Sequence, residues 1–218
     1  HKILEVYTQP AKKKDRGQKI KNSPIHDCAE YYNLKVRCPV SLEANDELDH
    51  FIKLKPDLVI VVAYGKILPN KLLDLVKIPF INVHASILPK WRGAAPIQRS
   101  IMNMDNETGV SIMKIIPKLD AGPILMQSKI KINRETTFTD LSNEMSKLGA
   151  KLIIDTLECI ENNSVSFTDQ KELDASYARK IEKSEAKISW NVEANKIVAK
   201  INALNPNPGC WFELQGGR

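Results

Sequence analysis

Asn82 and His84 stand two residues apart where the apolar run Phe80-Ile81-Asn82-Val83 ends. In a strand, residues at i and i+2 project from the same face, so this amide and imidazole can converge on one ligand atom. An amide that donates hydrogen bonds suits a developing oxyanion. An imidazole that exchanges a proton near neutral pH suits an attacking amine, and acyl transfer requires both. From these two residues alone a plainer reading stands beside this one, in which Asn82 closes a turn and His84 is a satisfied buried side chain. Asp120, in Leu119-Asp120-Ala121-Gly122-Pro123, reads by itself as a turn residue. His26-x-Cys28 is too slight for a metal-ligand set and nothing else clusters with ligand spacing, so no metal is expected.

The elements that must position these groups alternate along the chain. A β-type run, Ile3 to Tyr7, opens it directly, which leads us to expect a segment before it. Ser23-Pro24 is an N-cap followed by Pro at the first helical position, with Ile25, Cys28, Ala29 and Tyr32 as the apolar stripe. A short strand over 35–38, a helix over 41–54 and the β-branched run 57–63 follow, the last suited to a strand buried on both faces. A helix through Leu72 and Val76, the strand 80–83 and a helix over 94–104 continue the alternation. This order predicts an α/β fold, an open and mostly parallel Rossmann-like sheet flanked by helices, with its ligand site beyond the carboxyl ends of the strands. Strands over 110–115 and 124–132 come next. The best helix in the chain then runs over 137–160, with Thr137 and Asp140 at capping-box spacing. The tract 162–176 is polar and reads as loop or edge, 184–204 holds a short helix, and Cys210 to Leu214 begins a strand that the chain does not complete.

Composition narrows the function classes. Apolar residues at 43% and charged ones at 27% of 218 residues, with 9 Gly and 12 Pro, exclude a fibrous or disordered chain and allow a sizeable core. The apolar run Leu58–Ala63 is far shorter than a bilayer span, so no membrane partner is expected. Four scattered cysteines without a C-x-x-C pair point to a reducing, cytoplasmic compartment. Most of the net charge of +6 comes from residues 1–22, where seven basic side chains face only Glu5 and Asp15. Flanked by Pro10 and Gly17, this cluster reads as an exposed loop, either a solubilising one or an arm that contacts nucleic-acid phosphates.

The stretch from Asn82-Val83-His84 through Ser86-Ile87-Leu88-Pro89 to Trp91-Arg92-Gly93-Ala94-Ala95-Pro96-Ile97-Gln98 resembles the signature of the folate-dependent formyltransferases. More narrowly it is similar to the branch that formylates methionyl-initiator tRNA. Tyr7-Thr8-Gln9-Pro10 with Arg16-Gly17, Val62 to Pro69, Thr108 to Met113 followed by Leu119 to Pro123, and Tyr177 to Ile181 with Glu185 to Trp190 resemble further segments of it, in the same order. Ile87 departs from the usual Leu, and Lys12 to Asp15 fill the basic loop differently.

The resemblance implies formyl transfer from 10-formyltetrahydrofolate to the methionyl α-amine. Asn82 would donate to the formyl oxygen, His84 would polarise that oxygen or shuttle the amine proton, and Asp120 would orient His84. It further implies folate contacts from Tyr64, Gly65, Ser86, Leu88 and Pro89. Contacts to methionyl-initiator tRNA would come from Lys12, Lys13, Lys14, Arg16 and Lys19, and the protein would act as a monomer. The implied organisation is a catalytic domain over 1–178, a linker with a short helix over 179–205 and the truncated start of a C-terminal β-barrel over 206–218, the first strand being absent. Competing readings are a sibling formyltransferase acting on a small amine, which needs neither the basic loop nor the linker motifs, a folate-binding hydrolase, which differs by letting water attack, and a basic RNA-binding module. A binder of RNA alone has no use for Asn82.

Overall fold

The computed structural model describes residues 1–14, 19–75 and 79–214, which have an α/β fold. The chain divides into two compact units, His1–Phe80 and Ile81–Arg218.

In the first unit, strands β1 (Val6–Tyr7), β2 (Lys12–Lys14) and β3 (Lys19–Lys21) precede helix α1 (Pro24–Tyr31) and β4 (Val36–Arg37). Helix α2 (Asn45–Leu54), β5 (Val59–Val61) and α3 (Asn70–Leu75) complete it. As the Ser-Pro signal predicts, the Ser23 hydroxyl caps α1 by accepting the His26 N–H at 3.1 Å. β1 and β4 pair in parallel, Val6 opposite Val36 and Tyr7 opposite Arg37, with α1 as the crossover that a parallel pair needs. Their core is aromatic: Phe51 of α2 lies edge-on to Tyr7 at 5.8 Å and stacks on Phe80 at 5.9 Å, with Ala29, Leu48 and Leu72 buried around it. Burial against this core pushes the Tyr7 phenol well above its ordinary range.

Two expectations change here. The basic segment forms a hairpin instead of a loop, because β2 and β3 pair antiparallel, Lys12 opposite Lys21 and Lys14 opposite Lys19. Mutual backbone hydrogen bonds offset the repulsion of like charges when the strands stay in solvent. The run over 57–63 is not buried on both faces, since Ile60 is 43% and Val62 60% exposed. Among the described residues nothing covers that side, so a continuous apolar run does not by itself report double burial.

In the second unit, β6 (Phe80–His84) is followed by β7 (Arg92–Gly93), α4 (Pro96–Met102), β8 (Glu107–Lys114), β9 (Ile124–Lys131), α5 (Phe138–Glu161), β10 (Tyr177–Ala178) and α6 (Ala194–Leu204). β6 and β8 are antiparallel with Asn82 opposite Met113 and His84 opposite Ser111, and β9 extends the sheet antiparallel. The parallel pairing in this unit is between β7 and β10. The helix α5 carries the predicted capping box, with the Asp140 N–H donated to Thr137 Oγ1 and the Thr137 N–H returned to the Asp140 carboxylate at 3.2 Å. Its apolar stripe of Leu141, Met145 and Leu152 is buried against β8 and β9. Gly149 lets α5 come close to β6, for an added Cβ would lie 3.1 Å from Val83 Cγ1. Val83 therefore faces α5, and strand alternation turns Asn82 and His84 to the opposite face.

The expected strand at 210–214 is reduced to an isolated parallel bridge between Lys187 and Trp211. The segment after β10 is stapled to α4 by Arg99. Its guanidinium holds both Glu185 oxygens at 2.7 and 2.9 Å and also donates to the carbonyls of Arg179 and Lys180. The Arg99 hydrogen bonds hold the Glu185 carboxyl down from 4.5 to about 2, against the upward push of burial. A carboxylate held this low stabilises the fold fully above its unfolded value, and the stabilisation fades as pH falls from 4.5 to about 2. Glu185→Gln is accordingly expected to be less stable than the parent at neutral pH, with the gap closing across that window. Acid unfolding followed by circular dichroism measures it, and a gap independent of pH would contradict the pairing.

Candidate active site

His84 ends β6 with only 6% of its surface exposed. Its Nε2 lies 2.9 Å from the Trp91 carbonyl oxygen, which can only accept, so Nε2 carries a proton and in the neutral ring Nδ1 holds the lone pair. Asp120 Oδ2 stands 3.7 Å from Nδ1, a charge contact too long for a hydrogen bond. The same oxygen accepts the Gly93 N–H at 2.8 Å. Asn82, two residues back on the same face, is half-buried, and its amide has no hydrogen-bond partner among the described residues. The structure thus brings His84 and Asp120 together and leaves the Asn82 amide open to a ligand.

The chain after β6 is shaped by β8 and β9. Ser111, opposite His84, donates to the Ser86 carbonyl at 2.6 Å and accepts the Leu88 N–H at 3.1 Å. Gln127 of β9 donates to Ser111 Oγ at 2.7 Å and to the Leu88 carbonyl at 3.0 Å. Ser86 is fully buried and gives its hydroxyl to the Lys90 carbonyl, Leu88 is 3% exposed, and Pro89 is half-buried. Ile87 reaches toward Gly109, where a Cβ would sit 2.6 Å from Ile87 Cδ1 and 2.0 Å from the Ser128 carbonyl. Of the three residues of this turn expected to meet folate, Ser86 spends its hydroxyl within the turn and Leu88 spends its N–H and carbonyl on β8 and β9.

Left-handed backbone marks the two segments around the imidazole. Trp91 has φ 61° and Asp120 φ 46°, conformations that non-glycine residues keep only where neighbours over-determine them. Trp91 donates its N–H to Ser176 Oγ at 2.9 Å and its indole Nε1–H to Asp105 at 2.7 Å. Gly93, at φ 115°, runs so close to β10 that an added Cβ would meet the Ala178 carbonyl at 2.9 Å. Gly122 comes closer still to β8, its hypothetical Cβ lying 1.8 Å from the Lys114 carbonyl, which makes glycine obligatory beside Asp120.

Gln170 joins these segments. Its Nε2 donates to the carbonyls of Asp120 at 2.9 Å and Gly122 at 2.7 Å, and its Oε1 accepts Arg92 Nε at 3.0 Å. Arg92 is fully buried. Its Nη1 meets Glu172 at 3.0 Å, and the Arg92 and Lys118 hydrogen bonds keep that carboxyl below its ordinary value. The sequence gives no sign of Gln170, which lies in an aperiodic polar tract; nor of Ser111 and Gln127, whose roles depend on cross-strand register.

Tyr64 and Gly65 lie in the other unit, where Gln9 Nε2 donates to the Tyr64 carbonyl at 2.7 Å. Gly65, at φ 75°, packs against that amide so closely that an added Cβ would clash with the same Gln9 nitrogen at 2.7 Å. The Tyr64 hydroxyl is buried without a partner, and burial, with smaller contributions from nearby Cys38 and Glu47, raises its phenol. Gln9 Oε1 accepts the Lys12 ammonium, so one amide ties the Tyr64 turn to the root of the basic hairpin. Lys13, Lys14 and Lys19 lie on β2 and β3, and Arg16 is outside the described residues. His26 faces Cys38 at 3.4 Å and Glu30 at 3.1 Å instead of Cys28. Burial pushes the Cys38 thiol up, with the Glu30 charge adding to the shift. Among the described residues no group of three potential metal ligands occurs, and no helix is long and apolar enough to cross a membrane.

Comparison with known proteins gives a consistent picture. The sequence model of the formyl transferase family matches residues 1–157, and that of the formyl transferase C-terminal domain matches residues 180–218. The chain is 52% identical over 217 residues to the methionyl-tRNA formyltransferase of Pelagibacter ubique, covering 99% of this chain and 70% of that relative. Among solved structures, a 4-N formyltransferase from Francisella tularensis superposes with a TM-score of 0.74 at 22% identity, over 89% of this chain and 79% of that one. HypX from Aquifex aeolicus in complex with tetrahydrofolic acid superposes with a TM-score of 0.73 at 18% identity, over 98% of this chain and 36% of that one.

Proposed function

The chain belongs to the formyl transferase family, and we propose that it transfers the formyl group of 10-formyltetrahydrofolate to the α-amine of methionyl-initiator tRNA. The observation that carries this reading is the contact of His84 with Asp120 at 3.7 Å, His84 ending the strand that presents an Asn82 amide unpartnered among the described residues. The likeness to the Pelagibacter ubique enzyme supports the choice of acceptor. The folate cosubstrate, when bound, supplies the formyl carbon.

The protein's own groups divide the work. Asn82 donates its amide N–H to the formyl oxygen as negative charge gathers there. An ammonium group cannot attack, so the amine must lose a proton. With Nε2–H committed to the Trp91 carbonyl, the neutral His84 ring has no N–H for the formyl oxygen, and Nδ1 is the atom that takes the proton. This favours the shuttle over the polarising role. Asp120 then faces an imidazolium and stabilises it until the ring gives its proton to the folate nitrogen as that nitrogen's bond to the formyl carbon breaks, while its own bond to Gly93 fixes its orientation. Folate contact falls to Tyr64 and Gly65 and to Pro89, with Ser86 and Leu88 shaping the turn. The catalytic domain is taken as 1–178, the linker as 179–205 and the start of the C-terminal domain as 206–218, acting as a cytoplasmic monomer.

A direct assay tests the reading: the purified protein, formyl-labelled 10-formyltetrahydrofolate and methionyl-initiator tRNA should give acid-precipitable formyl-methionyl-tRNA. Absence of transfer to this acceptor would refute it. The basic hairpin has its own prediction. If Lys13, Lys14, Lys19 and Arg16 meet phosphates with Lys12, replacing Lys12, Lys13 and Lys14 together by alanine raises the KM for tRNA and leaves that for folate unchanged. Each lost phosphate contact should also flatten the salt dependence by roughly 0.7 to 0.9 in log–log slope. Steady-state kinetics at several salt concentrations measure both, and an unchanged slope would return the hairpin to a solubilising role.

A further inference from the structure

We propose that Gln170 is a positioning residue for the reaction, a side chain that sets the spacing of Asp120 from His84. The inference rests on the reading of His84 and Asp120 as the working pair. Their contact is assembled from two separate segments. The segment 91–93 holds the imidazole through the Trp91 carbonyl and the carboxylate through the Gly93 N–H. The segment 119–123 carries the carboxylate itself.

Gln170 grips both. Its amide N–H groups hold the Asp120 and Gly122 carbonyls at 2.9 and 2.7 Å, and its oxygen holds Arg92 Nε at 3.0 Å. The two donors and one acceptor used are a set that only a primary amide provides at this position. Arg92 is anchored in turn by the parallel pairing of β7 with β10 and by Glu172. Asp120, at φ 46°, does not hold its conformation by intrinsic preference. Without the bonds to its carbonyl and to that of Gly122, the turn relaxes, and the 3.7 Å separation is the quantity that changes.

The two donors and the acceptor can be separated by mutation. Gln170→Ala removes all three bonds. Gln170→Glu keeps the shape and the acceptor for Arg92, but sets a carboxylate against two carbonyls. Both are expected to lower kcat by about 10- to 100-fold with KM for tRNA and folate within about twofold, as displacement of a catalytic group by an ångström does. For Gln170→Glu the ratio to the parent should recover in part as the pH is lowered, when the protonated carboxyl donates its one O–H to one of the two carbonyls; Gln170→Ala should show no such recovery. Thermal unfolding of each variant accompanies the kinetics. If Gln170→Ala does not fold, the near-isosteric Gln170→Glu carries the test.

Parental kcat in Gln170→Ala, or a loss in Gln170→Ala that Gln170→Glu fully restores at neutral pH, would overturn the inference, the latter because Arg92 anchoring alone would then suffice. His84→Ala serves as the control. If it too transfers formyl groups normally, the functional reading has failed; if it is crippled while Gln170→Ala and Gln170→Glu are normal, only the role of Gln170 has.

Discussion

Asn82→Ala is expected to lower kcat for formyl transfer by roughly a hundredfold or more, the usual loss when one preorganised oxyanion donor is removed. The fold should be unaffected, because the amide is half-buried and no intramolecular bond depends on it among the described residues. The effect should fall on kcat more than on KM, since the donor strengthens its bond as charge develops. His84→Ala should match it in size for another reason: the imidazole that accepts the amine proton is gone, at a cost of about 10²- to 10⁴-fold. The two losses should combine to less than their product if both groups act in one step. Variants that fold with parental circular dichroism and turn over within about threefold of the parent would disprove the assignment.

The parts of this site that were legible in the sequence are those whose signal is local. The apolar run to Val83 placed β6, and a two-residue spacing put Asn82 and His84 on one face before any pairing was known. Thr137, Asp140 and the stripe down α5 marked a helix whose caps and periodicity agree. Asp120 was different, since an aspartate before Gly122 is what any turn would carry, and only the wider resemblance singled it out. Gln170 left no trace because its role is a matter of three distances across the chain, not of its neighbours. The hairpin of β2 and β3 was hidden for a related reason: lysines have poor strand propensity, and pairing between the two runs overrides it. The exposure of Ile60 shows the converse failure, an apolar run whose second face finds no cover among the described residues.

Asp120→Asn isolates charge from geometry. The oxygen that faces His84 Nδ1 at 3.7 Å is the one that accepts the Gly93 N–H at 2.8 Å. In the variant that N–H still demands an acceptor, so the amide oxygen takes its place and the new NH₂ group turns away from the ring. Shape and the Gly93 bond survive, and what disappears is the negative charge opposite an imidazolium. At this separation and an effective dielectric constant near 20 the attraction is on the order of 4 kcal/mol, part of it offset by solvation. About 2.7 kcal/mol of it, borne at the transition state, is enough for a hundredfold fall in kcat. We therefore expect a loss of roughly that size, with KM for both substrates little changed. Asp120→Ala should fare worse than Asp120→Asn, since it also strands the Gly93 N–H and frees the 91–93 segment that holds the imidazole. If Asp120→Asn instead turns over at the parental rate while Asp120→Ala fails, the carboxylate serves as an acceptor for Gly93 and nothing more, and the imidazolium is stabilised by something other than Asp120.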